Sequence, residues 1–143
     1  MNTRETLARA IEIARAAHQG QLDKTGEPYF EHCQRVAQRV DTIDEKAVAY
    51  LHDVVEKTRS WSFERLEREG FPPPILHAVR SLTRAPAEDE EHFVRRAMSD
   101  RLARSVKLAD LNDNLVQVMQ VGGDTGKLTR NLEIARRAAA DAA

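Results

Sequence analysis

The run LHDVVEKT, residues 51–58, sets an imidazole, two carboxylates and an ammonium side by side: His52, Asp53, Glu56 and Lys57. Read as a helix, it places His52 and Glu56 on one face at i,i+4, with Asp53 and Glu56 at i,i+3. His52 and Asp53 then lie about 100° apart around the axis, close enough for both to reach one ion between them. A polar helix face has the same composition, so the pair gains weight only from two further segments. GEPYFEHC puts His32 on the preceding helix, and KLADLNDN puts Asp110 on a later one, with Asn114 one turn on. Two neutral imidazoles and two carboxylates make a mixed N/O donor set, which suits Mn, Fe, Co or Zn better than Ca. A divalent ion in such a set acidifies water and polarises a phosphoryl oxygen. Glu56, one turn from the donors, could orient that water or take its proton.

Each residue has a plainer use as well. His32 could bond to backbone, Asp110 could pair with Lys107, Asn114 could face solvent, and Lys24 could be a solvated loop lysine. Lys57 could simply complement the dipole at a helix end, or it could meet a phosphate. The joint pattern is what favours a site.

The elements that must bring these side chains together read as helices. Leu7, Ile11 and Ala14 pattern a helix over 3–18, with Thr3 as N-cap. GQLDKTGEPY, 20–29, reads as an ordered loop, and helical spacing resumes over 30–41. Asp44 is placed to cap a helix that runs unbroken to about Lys57, with Leu51, Val54 and Val55 in its apolar stripe. Ser62 caps a short helix ending at Gly70, and FPPP supplies proline to the first turn of a helix over 74–82. RAPAEDEE leads from a loop into another helix, 100–119 forms one long helix or two abutting ones, VGGDTGK is a turn, and 127–141 closes the chain. GGDTGK has neither the spacing nor the preceding strand of a phosphate loop. No segment reads as a strand, so the expected class is all-α.

The 143 residues suit one domain with one core. Hydrophobic residues make up 41% and charged ones 31%, an ordinary globular balance, but only 5% are aromatic, so the core must rest on aliphatic side chains. A net charge of −1 argues against nucleic acid as a partner. Cys33 is the single cysteine, which leaves no intrachain disulfide and fits a reducing compartment. No apolar run is long enough to cross a membrane, and the N-terminus mixes acids with bases rather than forming a signal peptide. The expectation is a cytoplasmic protein with a small-molecule substrate.

In chain order, AHQGQLDKTGEPYFEH, LHDVVEKT, SLTR and KLADLNDN resemble the HD-domain phosphohydrolases. The likeness is to the hydrolase domain of RelA/SpoT-type enzymes and to the stand-alone small alarmone hydrolases, and it covers roughly residues 5–120. It implies an all-helical HD domain over 1–143 that holds one divalent metal, usually Mn²⁺, on His32, His52, Asp53 and Asp110. It implies Glu56 as the catalytic group, Asn114 in the nucleotide pocket and Lys24 facing the base and ribose. The implied reaction removes pyrophosphate from the 3′ position of (p)ppGpp, the alarmone of the stringent response, or of its adenosine counterpart (p)ppApp. The chain is too short for the synthetase and regulatory domains of the long enzymes, so degradation rather than synthesis is expected.

Three departures from the family pattern stand out. Lys57 stands where the relatives carry a second acid after the glutamate. Asp23 stands where they carry an arginine that packs on guanine; an acid cannot stack in that way, but it could accept hydrogen bonds from a base. The usual D-R-L-H-N becomes Asp110-Leu111-Asn112-Asp113-Asn114. These departures leave two alternatives: an HD phosphohydrolase of another nucleotide (a nucleoside monophosphate, a dinucleotide or NADPH), or an alarmone-binding module without catalysis.

Overall fold

Capping chemistry sets where the helices begin. The computed structural model describes residues 1–142, and among them nine helices and no strand. Asn2, one residue before the expected Thr3, caps α1 (Thr3–Ala17): its side chain accepts the Glu5 N–H at 2.9 Å. α2 (Tyr29–Gln38) follows a loop whose ends are tied by an isolated antiparallel bridge between Leu22 and Pro28. Thr42, rather than Asp44, caps α3 (Ile43–Leu51), because Thr42 and Glu45 form a reciprocal capping box.

The helix expected to run on to Lys57 stops at Leu51 and restarts as the single turn α4 (Val54–Lys57). The break has a local cause. The His52 ring binds the Ala49 carbonyl through Nδ1, competing for the acceptor that a continuing helix would offer to the Asp53 N–H. Asp53 takes φ −109° and ψ 0°, outside the helical well.

Ser62 caps α5 (Phe63–Arg68) as expected, and the chain leaves it through Gly70 at φ +96°. Pro72 and Pro73 open α6 (Pro73–Ser81). α7 (Glu90–Ser99) begins at Asp89, whose carboxylate accepts two first-turn N–H groups. Residues of the expected 100–119 helix form one element, α8 (Ala103–Gln120), and α9 (Gly126–Ala142) follows the glycine turn.

Two apolar clusters hold these helices. The larger joins α1, α2, α3, α6 and the start of α8 through Ile13, Val36, Val48, Leu51, Ile75, Val79 and Val106. The smaller joins α7, α8 and α9 through Val94, Met98, Leu111 and Leu132. α8 therefore runs through both clusters, and Asp110 lies on it where one gives way to the other. Buried apolar packing on either side, at about 25 cal/mol per Å², fixes the rotation of α8 and so the direction of its polar stripe.

A charged clamp fixes the loop after α6. Arg96 donates to both Glu88 oxygens at 2.8 Å and to the carbonyls of Arg80 and Thr83. The guanidinium, with the Ala85 N–H and His92, holds the Glu88 carboxyl well below the usual carboxylate range. Stability from this group is whole above the unfolded value of about 4.3 and drains away as pH falls through the depressed folded value. Glu88→Gln is therefore expected to lower the urea midpoint at pH 6 and to lose less than the wild type between pH 6 and pH 3.5. Parallel acid losses in the two proteins would show that the clamp contributes nothing.

Candidate metal centre

His32 from α2, His52 and Asp53 from the α3–α4 break, and Asp110 from α8 converge. One donor atom from each lies within 4.8 Å of the other three. His32 Nε2 is 3.0 Å and His52 Nε2 3.1 Å from Asp110 Oδ1, while His52 Nε2 is 2.9 Å and His32 Nε2 3.9 Å from Asp53 Oδ2. Both histidines and Asp53 are buried, and Asp110 is half-buried. The break after Leu51 lets His52 and Asp53 point at one place while Leu51 and Val54 stay enclosed in the core.

The far side of each ring settles which nitrogen faces the centre. His32 Nδ1 sits 2.6 Å from Asp113 Oδ2, and His52 Nδ1 faces the Ala49 carbonyl. Each Nδ1 thus meets an acceptor and carries the proton, which leaves the Nε2 lone pairs of the neutral rings turned toward carboxylate oxygen. Lone pairs facing lone pairs at 3 Å are unfavourable unless positive charge lies among them. Two protons or one divalent cation would supply it, and the donor set therefore fits a metal ion.

The electrostatics say the same. Burial disfavours charge on His52 and His32, but the carboxylates outweigh it and raise both rings above the ordinary histidine value. Asp53 and Asp110 also pay for burial, yet the two imidazoles hold both below the usual carboxylate range. The cluster demands positive charge.

Around it stands a second layer that spacing did not reveal. The Tyr29 hydroxyl donates to Asp53 Oδ2; burial first, then the Asp53 charge, keep that phenol protonated. Asp113 takes His32 Nδ1, Arg35 Nε at 2.8 Å and Gln117 Nε2 at 2.8 Å, with its side chain almost wholly buried. A ligating histidine needs an acceptor on its other nitrogen, and Asp113, one turn beyond Asp110, was the available sign. His18 packs against Tyr29, with ring centres 4.8 Å apart, and donates through Nδ1 to Gln21 Oε1 at 2.8 Å. Its Nε2 is buried without a partner, and burial pushes the ring below its ordinary pKa.

The remaining sequence candidates divide. Asn114 donates to both the carbonyl and Oδ1 of Asp110, and its own oxygen accepts Lys24 Nζ at 2.7 Å, so Lys24 and Asn114 stand together beside the centre. Asp23 does not join them. Its side chain is fully enclosed, with Oδ1 accepting from Thr25 and Glu27 and Oδ2 from Arg35. The loop uses this carboxylate to hold its own shape, which leaves no free acceptor for a base.

Glu56 and Lys57 lie on the solvent side of α4. With Gln21, Leu22 and Tyr29 they line an open cleft of about 540 Å³. Partial burial raises the Glu56 carboxyl, the Asp53 charge raises it further, and Lys57 works against both. The break in the helix means that His52 and Glu56 are not stacked as the unbroken i,i+4 reading required; Glu56 stands on the separate turn, near enough for the Asp53 charge to act on it. The Lys57 ammonium lies 5.1 Å from the centre of the Tyr29 ring. A second cleft, of about 340 Å³, is lined by Lys24, Lys107 and Lys127 and by the carboxylates of Asp110, Glu90 and Asp124.

Comparison with known proteins matches this architecture. The chain is 32% identical over 118 residues to a guanosine-3′,5′-bis(diphosphate) 3′-pyrophosphohydrolase of Haemophilus influenzae, over 72% of this chain and 17% of that protein. It is 34% identical over 84 residues to a putative chloroplastic GTP diphosphokinase of Arabidopsis thaliana, over 56% of this chain and 9% of the relative. The chain thus spans less than a fifth of the length of these curated relatives. A solved structure, described as a metazoan ortholog of SpoT that hydrolyses ppGpp and plays a role in starvation responses, superposes with a TM-score of 0.72 at 26% identity. The match covers 95% of this chain and 84% of that one. Residues 10–118, which carry all four converging donors, match the HD domain, and the chain belongs to the HD-domain family.

Proposed function

We propose that this chain is a metal-dependent hydrolase that removes the 3′-pyrophosphate from (p)ppGpp or (p)ppApp, acting in the cytoplasm in the stringent response. The observation that carries the reading is the convergence of His32, His52, Asp53 and Asp110 with their protonated nitrogens turned outward. Likeness to a ppGpp-hydrolysing SpoT ortholog over nearly the whole chain supports the substrate class. The four donors would hold one divalent ion, with Mn²⁺ the preferred candidate, and its chemistry when bound is that of a Lewis acid on phosphoryl oxygen and water.

The chain's own residues do the rest. Asp113 and the Ala49 carbonyl fix the two rings, and Tyr29 fixes Asp53. Glu56, with its raised carboxyl at the cleft rim, accepts a proton from the attacking water. The water oxygen bonds to the 3′-linked phosphorus, the bond to O3′ breaks, and O3′ takes a proton from solvent as pyrophosphate departs, while Glu56 returns the water's proton to solvent. Lys24 and Asn114, held together beside Asp110, line the nucleotide side. The test is incubation of ppGpp and ppApp side by side, with and without Mn²⁺, and separation of products by anion exchange. Pyrophosphate release from at least one is expected with the metal; nucleotide binding without release from either would refute hydrolysis and leave a binding module.

Lys57 offers a free ammonium on the rim beside Glu56. Lys57→Asp replaces attraction for an incoming phosphate by repulsion. It is expected to raise KM about tenfold, as for any charge reversal worth about 1.4 kcal/mol, with little change in thermal midpoint because the side chain is exposed. Equal KM in both proteins would remove Lys57 from the site.

A further inference from the structure

Lys107 buries its stem and brings to the cleft an ammonium that has no ion-pair partner among the described residues. The residue is 6% exposed, with its ammonium 4.1 Å from the centre of the Phe93 ring. Among the described residues, no carboxylate lies within ion-pair distance of it and no hydrogen bond engages its three N–H donors. The pairing with Asp110 that the spacing also allowed does not form: Asp110 Oδ1 is taken by His32, His52 and Asn114. Lysine is almost never buried unless paired, and an aromatic face offers a cation only part of what water or an anion would. The arrangement is incomplete on one side, the cleft of about 340 Å³ that Lys107 lines with Asp110, Asn114 and Lys24. Lys107, Asp110 and Asn114 follow one another at i, i+3 and i+7 along α8, so one helix face presents cation, metal ligand and amide in a row.

We propose that Lys107 binds a non-bridging oxygen of the 3′-pyrophosphate, next to the phosphorus that is attacked. This rests on the functional reading above and adds the group that fixes the pyrophosphoryl half of the substrate, the half that water attacks and from which O3′ departs. An ammonium held over Phe93 and one turn from Asp110 is positioned before substrate arrives, so little ordering remains to be done on binding. Phosphate oxygens accept all of its donors at once, and a charge-assisted bond in a half-enclosed cleft is the stronger kind. The bond is present in the ground state and persists as charge moves onto the leaving group, so its loss acts mainly through KM.

Two variants and two probes test it. Lys107→Met keeps the stem beside Phe93 and removes the charge; Lys107→Arg keeps the charge. The Met variant is expected to raise KM for ppGpp about 30-fold, the loss of one hydrogen bond to a charged group, with kcat changed less. Without ligand it should melt close to the wild-type temperature, because methionine keeps the stem packed beside Phe93 and the lost ammonium held no ion pair. Inorganic pyrophosphate, added with Mn²⁺, should raise the melting temperature of wild type and of Lys107→Arg but not of Lys107→Met. A Lys107→Met protein that melts well below wild type or fails to fold would overturn the assignment, since the lysine would then be structural. Unchanged KM and an unchanged pyrophosphate effect would overturn it too. If the wild type hydrolyses no nucleotide, the functional reading falls, and the pyrophosphate effect alone decides: lost in the Met variant it upholds Lys107 as the anion site, and equal in both proteins, or absent from wild type, it sinks that role.

Discussion

Asp110→Asn is expected to abolish hydrolysis and divalent-ion binding together in a protein that remains helical. Asp110 Oδ1 lies about equally far from both histidines, at 3.0 and 3.1 Å, and also accepts the Asn114 amide. It is thus the oxygen on which the centre closes. Asparagine keeps the size and one carbonyl oxygen, so the packing of α8 is undisturbed, while the site loses half its carboxylate charge. A donor set of two imidazoles and one carboxylate holds a hard divalent ion far less well. Calorimetric titration should show Mn²⁺ binding to wild type and none to the variant. At a thousandfold excess over Kd, wild type should gain about 4 kcal/mol of stability from the ion; the variant should gain nothing, and turnover should fall about a thousandfold or more. Wild-type Mn²⁺ affinity in Asp110→Asn would refute the proposed centre, whatever happened to activity.

How much of this was legible in the sequence differs by level. Helices and their order follow from apolar spacing and from Ser62, Pro72, Pro73 and Gly70, which act locally. Cap positions slipped by one or two residues, from Thr3 to Asn2 and from Asp44 to Thr42. Neighbouring residues there are all competent caps, and the choice falls to whichever oxygen meets the N–H groups of the first turn. The break at His52 was invisible, since the stretch contains neither glycine nor proline and the cause is a ring bonding to its own helix. The convergence of four donors was readable only as a joint pattern, and three helices had to be placed before it became a distance. Tyr29 and Lys107 carry no mark of their own, and the one mark of Asp113 is its place a turn beyond Asp110. Their roles depend on which ring nitrogen faces outward, which carboxylate oxygen is free, and which ammonium lacks a partner. Asp23 shows the reverse error: a loop acid beside the site looked available, but Arg35 from α2 closes on it.

Asp113→Asn carries the second large effect, and its signature differs from that of Asp110→Asn. Asp113 is acceptor-only and is approached by His32 Nδ1, Arg35 Nε and Nη2, and Gln117 Nε2, at 2.6 to 3.2 Å. An asparagine amide must turn its NH₂ toward one of these donors, so at least one buried hydrogen bond becomes a clash of donors. The cost should be about 1–3 kcal/mol, that of a nearly buried donor left unsatisfied, since Arg35 loses one of its two carboxylate partners and keeps Asp23. For His32 the consequence is chemical. Once Nδ1 has no carboxylate to donate to, the proton can move to Nε2, the nitrogen that faces Asp110. A ring in that tautomer offers the centre a donor where it needs a lone pair. Mn²⁺ affinity should fall about 10–100-fold, although none of the four converging atoms has been altered. Because those atoms remain, raising Mn²⁺ should restore turnover in Asp113→Asn and should not do so in Asp110→Asn. A folded Asp113→Asn protein with wild-type Mn²⁺ affinity would show that His32 is oriented by the packing of α2 alone. Restored turnover at high Mn²⁺ would instead separate the residue that aims the histidine from the residues that hold the ion.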